Sequence, residues 1–153
     1  MSKAAKVKNK IIRGTFGSVW INNTPCYEVK SVEATVTLNY EELHLNGAFG
    51  TYRRYQGYDV SGTVVLHKID SKIPRLMGSG PKTGELPYIK MDTLITDPDV
   101  NGAQRAVMDD VTLDELMLAQ FENNTLVEES VPFHASGYDM PEWLETVFGG
   151  TVA

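Results

Sequence analysis

The chain has 153 residues, 42% of them hydrophobic, with one cysteine and a net charge of −6. That length favours one domain with a sizeable core, and the lack of any apolar run of about 18 residues excludes a helical membrane span. A lone Cys26 excludes an internal disulfide and fits a chain made in a reducing compartment, and the basic opening lacks the apolar stretch of a signal peptide.

The net charge conceals a gradient. Residues 1–13 carry five bases (Lys3, Lys6, Lys8, Lys10, Arg13) and no acid. Residues 14–96 balance eight of each sign, and residues 97–153 set twelve acids against one base, Arg105. A solvated acidic surface with a loose basic tail accounts for this. So does a head-to-tail contact between unlike ends of neighbouring copies, which closes into rings or extends into filaments.

In chain order, residues 1–15 are expected to be extended and unstructured in isolation. Phe16 to Asn22 reads as a strand and Asn23-Thr24-Pro25 as a turn. Cys26 to Tyr40 reads as a long, bent strand. Within it Ala34, Val36, Leu38 and Tyr40 alternate with Glu33, Thr35, Thr37 and Asn39. A second run sets Tyr58, Val60, Val64 and Leu66 against Asp59, Ser61, Thr63 and Val65, with Gly62 in the one apolar gap. Each run builds one apolar and one more polar face. Residues 40–58 between them are too long for a tight turn and too polar for core, so they read as a protruding arm. Asn46-Gly47 is a strong hairpin signal, so part of the arm is expected to fold back. Arg53 and Arg54 lie between Tyr52 and Tyr55. Such interleaving suits nucleic acid, but two arginines in an acidic protein fit a protein contact better.

Ser71 reads as a helix cap, followed by Ile73, Leu76 and Met77 on one face, with Pro74 in the first turn and Gly78 as the stop. A Gly-rich turn to Gly84 precedes a strand from Leu86 to Thr96, a turn over Asp97–Ala103 and a strand from Gln104 to Leu113. Asp114 to Phe121 favours helix locally, with Asp114 as a cap, although its alternation is poor. Asn123-Asn124 is a turn, and Thr125 to Tyr138 is the closing strand. Asp139 with Glu142 resembles a capping box. It suggests a terminal helical turn over Met140–Phe148 whose apolar side is Met140, Leu144, Val147 and Phe148.

Motifs for chemistry fail on inspection. Asp97-Pro98-Asp99-Val100-Asn101-Gly102 begins like a calcium loop, but Met108 stands where a bidentate Glu is needed. Gly78 to Thr83 resembles a phosphate loop, yet Pro81 removes a backbone donor and the segment follows a helix. His44, His67 and His134 lack metal-ligand spacing, and no nucleophile elbow is present. Neither a catalytic site, a metal nor a cofactor is indicated.

The order and spacing of several segments resemble the tail tube proteins of contractile phages and phage-tail-like particles, in particular the group built like the PBSX tube protein. These are the basic start into Arg13-Gly14-Thr15-Phe16-Gly17, Glu33-Ala34, and Gly57-Tyr58-Asp59-Val60-Ser61-Gly62-Thr63. Lys68-Ile69-Asp70-Ser71, Pro87-Tyr88, Asp97-Pro98 and Val131-Pro132-Phe133 complete the set. The resemblance implies a mainly β fold, a two-sheet antiparallel β-sandwich or barrel flanked by one short α-helix, with strand over Asp114–Phe121. It implies a non-enzymatic subunit of hexameric rings stacked into a tube, with a sheath protein and baseplate or initiator proteins as partners. In a phage, DNA passes through the lumen, and acids lining that lumen would repel its phosphates. Such a subunit assembles in the bacterial cytoplasm and ends in a virion tail or a released, bacteriocin-like particle, with no membrane insertion of its own.

Three gripping elements are expected on this reading. The N-terminal segment offers Lys10 and Arg13. The arm offers Tyr40, Leu43, Leu45, Phe49, Tyr52, Arg53, Arg54 and Tyr55. The C-terminal docking tail, residues 140–153, offers Trp143, Leu144 and Phe148. The alternatives from the residues alone are a small-molecule-binding β-barrel and a hydrolytic or lytic enzyme.

Overall fold

The computed structural model describes residues 3–146. It is mainly β: a helix α1 (Lys3–Lys8) and a 3-10 turn (Gly14–Phe16) lead into strands β1 (Gly17–Ile21), β2 (Thr24–Pro25), β3 (Val29–Leu43) and β4 (Tyr52–His67). Two short helices follow, α2 (Lys72–Met77) and α3 (Gly80–Thr83), then β5 (Met91–Thr96), β6 (Gly102–Leu113) and β7 (Glu128–Leu144). All pairings are antiparallel. The strands form one seven-stranded sheet in the order β2-β1-β5-β6-β7-β4-β3.

The expected sandwich or barrel takes the form of one sheet curled over its own core. β1 and β4 stand four places apart in the sheet, about 19 Å if it were flat. Yet Val19 and Ile21 of β1 share one buried cluster with Val60, Val64 and Leu66 of β4. A bond of 2.8 Å from the His67 amide to the Glu28 carbonyl fastens the end of β4 beside the β2–β3 connection. Phe133 of β7 fills the centre, fully buried. α2 closes one end by burying Ile73 and Met77. Two buried carboxylates face its neighbourhood, each satisfied by a lysine: Glu28 by Lys72 at 2.7 Å and Glu129 by Lys68 at 3.2 Å. The hydrogen bond to Glu28 holds the Lys72 ammonium above its ordinary pKa.

Gly62 explains the gap in its apolar run. It pairs with Ala34 on one side and Phe133 on the other. A Cβ there would lie 2.0 Å from the Glu33 carbonyl oxygen and 2.8 Å from Phe133 Cζ. The sheet closes at this point only because no side chain intervenes.

Several local expectations need correction. Residues 3–8 are helical rather than extended. Ser71 is the N-cap of α2, its carbonyl accepting from the Arg75 amide at 2.9 Å, but the side-chain bond at this end comes from Asp70, whose Oδ1 accepts from the Lys72 amide at 3.1 Å. The Gly-rich turn contains the extra helical turn α3, and β5 starts at Met91 rather than Leu86. Asp114–Phe121 is neither helix nor strand; its exposed apolar residues have no ladder partner that would fix either form. The capping-box reading fails because Asp139 and Glu142 lie inside β7, paired with Val107 and Arg105 of β6. Ladder pairing there overrides local helix signals. Val147 and Phe148 lie outside the described residues.

Candidate assembly surfaces

The segment read as an arm is the distal half of the β3–β4 hairpin. Tyr40 pairs with Tyr55, Glu41 with Arg54, Glu42 with Arg53 and Leu43 with Tyr52. The tip, residues 44–51, turns at Gly47, whose φ of 82° is glycine territory. It carries Leu45 and a fully exposed Phe49. A register shift follows Asn39, leaving Gln56 as the extra residue of a bulge beside Gly57, φ 147°. The bulge sets which side chains share a face. Tyr55 and Tyr58 are three apart in sequence, yet both face the side that carries Tyr40 and Leu38. Period-two alternation then puts Tyr52 and Leu43 on the opposite face.

The Tyr40 face is organised. Arg53 stacks its guanidinium 4.1 Å over the Tyr40 ring. Tyr55 meets Tyr40 edge-on at 5.9 Å, and Tyr58 meets Tyr138 of β7 edge-on at 5.4 Å. These aromatic rings hold one another in place and still expose two-fifths or more of their surface. The stripe continues outward from the core the series begun by buried Val60 and half-buried Val36. It is therefore core-type surface with nothing of this chain over it among the described residues.

β3 is the edge strand of the sheet. Its 15 residues are exposed or half-buried throughout. From Ala34 to Tyr40 it carries neither charge nor proline. Protected edges normally carry such devices, so an edge of this kind is open to another strand.

The N-terminal segment is held by its own chain. Arg13 donates from its amide (3.1 Å) and Nε (2.9 Å) to Asp97 Oδ2, and from Nη2 to Oδ1 (2.9 Å). The Asp99 amide donates to Asp97 Oδ1 at 3.0 Å. Asp97 is buried, so these bonds are what make its charge tolerable. The Arg13 guanidinium holds the Asp97 carboxyl well below the usual carboxylate range, and Asp97 in turn raises Arg13. Lys10 Nζ donates to the Asp99 carbonyl at 2.7 Å. The residues that resembled a calcium loop thus receive two cations of the chain itself. At the other terminus, Trp143 is exposed, Leu144 is half-buried against Gly102, and Trp143 Nε1 donates to the Met140 carbonyl.

Sequence reasoning missed the stretch 114–127 as a surface. Its two ends are tied down. The Asp114 amide donates to the Pro132 carbonyl and the Lys68 amide to the Val127 carbonyl, both at 2.9 Å. Between these ties Leu118, Phe121 and Leu126 are each more than four-fifths exposed. Apolar residues without periodicity were the available signal.

A hollow of about 960 Å³ lies between β1, β5 and the start of β3. Gly14, Gly17, Ser18, Ser31 and Thr93 contribute to its wall, and Lys30, the one charged side chain among its described lining residues, is engaged by Glu128 at 2.7 Å. Thr15 and Gln104 add further polar groups to the wall, beside the aromatic rings of Trp20 and Tyr27.

The fold is thus a curled antiparallel sheet with a long open edge and core-type surface beyond its core. The chain belongs to the phage tail tube protein family, whose family model matches residues 5–142. Its role is that of a structural tube subunit. It is 29% identical over 147 residues to the phage-like element PBSX protein XkdM of Bacillus subtilis (strain 168), covering 95% of this chain and 99% of that protein. It is 28% identical over 147 residues to the uncharacterized protein YqbM of the same strain, with the same coverage. Among solved structures, the fold is similar to a chain of the sheath–tube complex of an extracellular contractile injection system in its extended state. The TM-score is 0.66 at 9% identity, over 92% of this chain and 97% of that one. A chain of the anti-feeding prophage tube-terminating cap gives a TM-score of 0.64 at 8% identity, over 85% and 90%.

Proposed function

We propose that copies of this chain join edge to edge into hexameric rings that stack as the inner tube of a contractile, phage-tail-like particle, enclosed by a sheath and started from a baseplate. The observation that carries this is the edge of β3, 15 residues long and unguarded from Ala34 to Tyr40. It supplies backbone donors and acceptors to a neighbouring strand. The stripe of Tyr40, Tyr55 and Tyr58 supplies area for the same contact, in the composition favoured at protein interfaces. Because the two edges of the sheet differ, the contact is heterologous and must close by rotation. Tip residues Leu45 and Phe49, with Trp143 and Leu144 at the far end of β7, are the remaining contacts of this reading.

Negative-stain electron microscopy of concentrated protein, alone and with an initiator complex, tests it. The wild type forms rings or tubes. Thr35→Lys with Thr37→Lys, which sets two charges on the exposed face of the edge strand, abolishes them without changing the melting temperature of the monomer. Tubes that persist in this variant refute the edge contact.

A further inference from the structure

We propose that the basic N-terminal segment of one copy docks on the acidic, apolar loop 114–127 of the next copy along the tube. This rests on the tube reading and names the contact between successive copies.

The two surfaces sit at opposite poles of one strand. Arg13 and Lys10 fix the N-terminal segment to the Asp97–Asp99 turn, just before β6 begins at Gly102. Loop 114–127 starts where β6 ends at Leu113. Twelve residues of strand at about 3.4 Å each put the poles roughly 40 Å apart. Residues 3–9, hanging from the anchor, form α1 over Lys3–Lys8, which at about 1.5 Å per residue is far too short to reach the loop of its own chain.

Their chemistry is complementary. Residues 3–13 carry no acid, and Lys6 and Lys8 form no ion pair among the described residues. Val7 and Ile11 are exposed beside them. The loop carries Asp114, Glu115 and Glu122 and no base. Leu118, Phe121 and Leu126 are almost fully exposed on it, although its ends are hydrogen-bonded to the sheet. A structureless connection of this length inside a small domain usually serves a function. Exposed leucine and phenylalanine held out on a tethered frame are costly in a solitary subunit and are covered when a copy arrives. Unlike surfaces at opposite poles repeat along an axis without limit, as a tube requires.

Charge reversal with rescue tests the contact. Lys6→Glu with Lys8→Glu puts like charges against Glu115 and Glu122, and tube yield at low salt falls about tenfold, the factor that 1.4 kcal/mol represents. Adding Glu115→Lys with Glu122→Lys restores yield to within about twofold, since surface pairs of this kind are small and exchangeable. Wild-type tubes with an unaffected reversal variant, or with no rescue, overturn this contact and leave the tube reading standing. If the wild type forms no tubes even on an initiator, the tube reading fails. Binding of a fluorescent peptide of residues 1–12 to the free subunit then decides separately. Salt-sensitive binding that Leu118→Ser with Phe121→Ser removes supports the contact, and binding that is absent or indifferent to that variant overturns it.

Discussion

Gly62→Ala adds one methyl group where three strands converge. The new Cβ would stand 2.0 Å from the Glu33 carbonyl oxygen, 2.9 Å from Ala34 Cα and 2.8 Å from Phe133 Cζ. Comfortable separations are about 3.5 Å, so β3 must retreat by more than about 1 Å. Overpacking of this kind costs about 1–3 kcal/mol. The retreat also stretches one or two ladder bonds to β4, each worth about 0.5–1.5 kcal/mol. The expected loss is about 3–5 kcal/mol, or roughly 10 °C of melting temperature for a domain of this size. Urea unfolding with an unchanged m-value measures it. Two of the three contacts are backbone atoms, so Phe133→Leu in the same chain recovers less than half of the loss. A loss below about 1 kcal/mol, or full recovery by Phe133→Leu, would refute the reasoning; the second outcome would place the obstruction in the ring rather than the strand.

Other expectations concern charge and the hairpin faces. Asp97 titrates below its unfolded value near 3.9, so its pairing with Arg13 stabilises the fold above that pH and is lost as pH falls through the folded value. Asp97→Asn is therefore less stable than the wild type at pH 7, and thermal melts of the two converge as the pH drops below about 4. Lys72→Ala leaves the Glu28 carboxylate buried without its cation. The loss is about 2 kcal/mol, under the ~3–5 of a wholly buried pair, because Lys72 is one-quarter exposed. Adding Glu28→Gln returns at least half of it in the same urea titration. Tyr55 shares its face with Tyr40 and Arg53, whereas Tyr52 shares the opposite face with Leu43 alone among the named aromatic and apolar candidates. Tyr55→Ala therefore raises the critical concentration for tube formation, read by light scattering, more than Tyr52→Ala; equal effects would count against the organised face as the contact.

The two alternating runs were readable because the strand period of two is written in side chains, and β3 and β4 contain them but run on through most of the segment read as an arm. The short helix was readable from Ile73, Leu76 and Met77. What escaped was decided by distant partners. Asp139 and Glu142 look like a helix start to any local rule, but β6 claims them as ladder. Residues 114–121 look helical because Leu, Met, Ala and Gln favour helix, but their fixed ends leave them an open loop. The gripping residues were half legible. Tyr40, Arg53 and Tyr55 stand out as an aromatic and basic cluster, but the bulge at Gln56, which assigns Tyr55 and Tyr52 to different faces, has no local signature beyond Gly57. Arg13 looked like part of a free basic tail until Asp97, 84 positions on, proved to be its partner.

The sheet order has a bearing on synthesis. β7 is the last of the described strands to leave the ribosome, yet it lies between β6 and β4. Until it emerges, the nascent chain holds two half-sheets, β2-β1-β5-β6 and β4-β3, whose future inner margins are both bare. Nothing but delay separates those margins from pairing with the nascent chain on the next ribosome. Truncation anywhere before residue 128 should therefore yield aggregates, and chaperones that shield strand margins should matter more to this subunit during translation than after it.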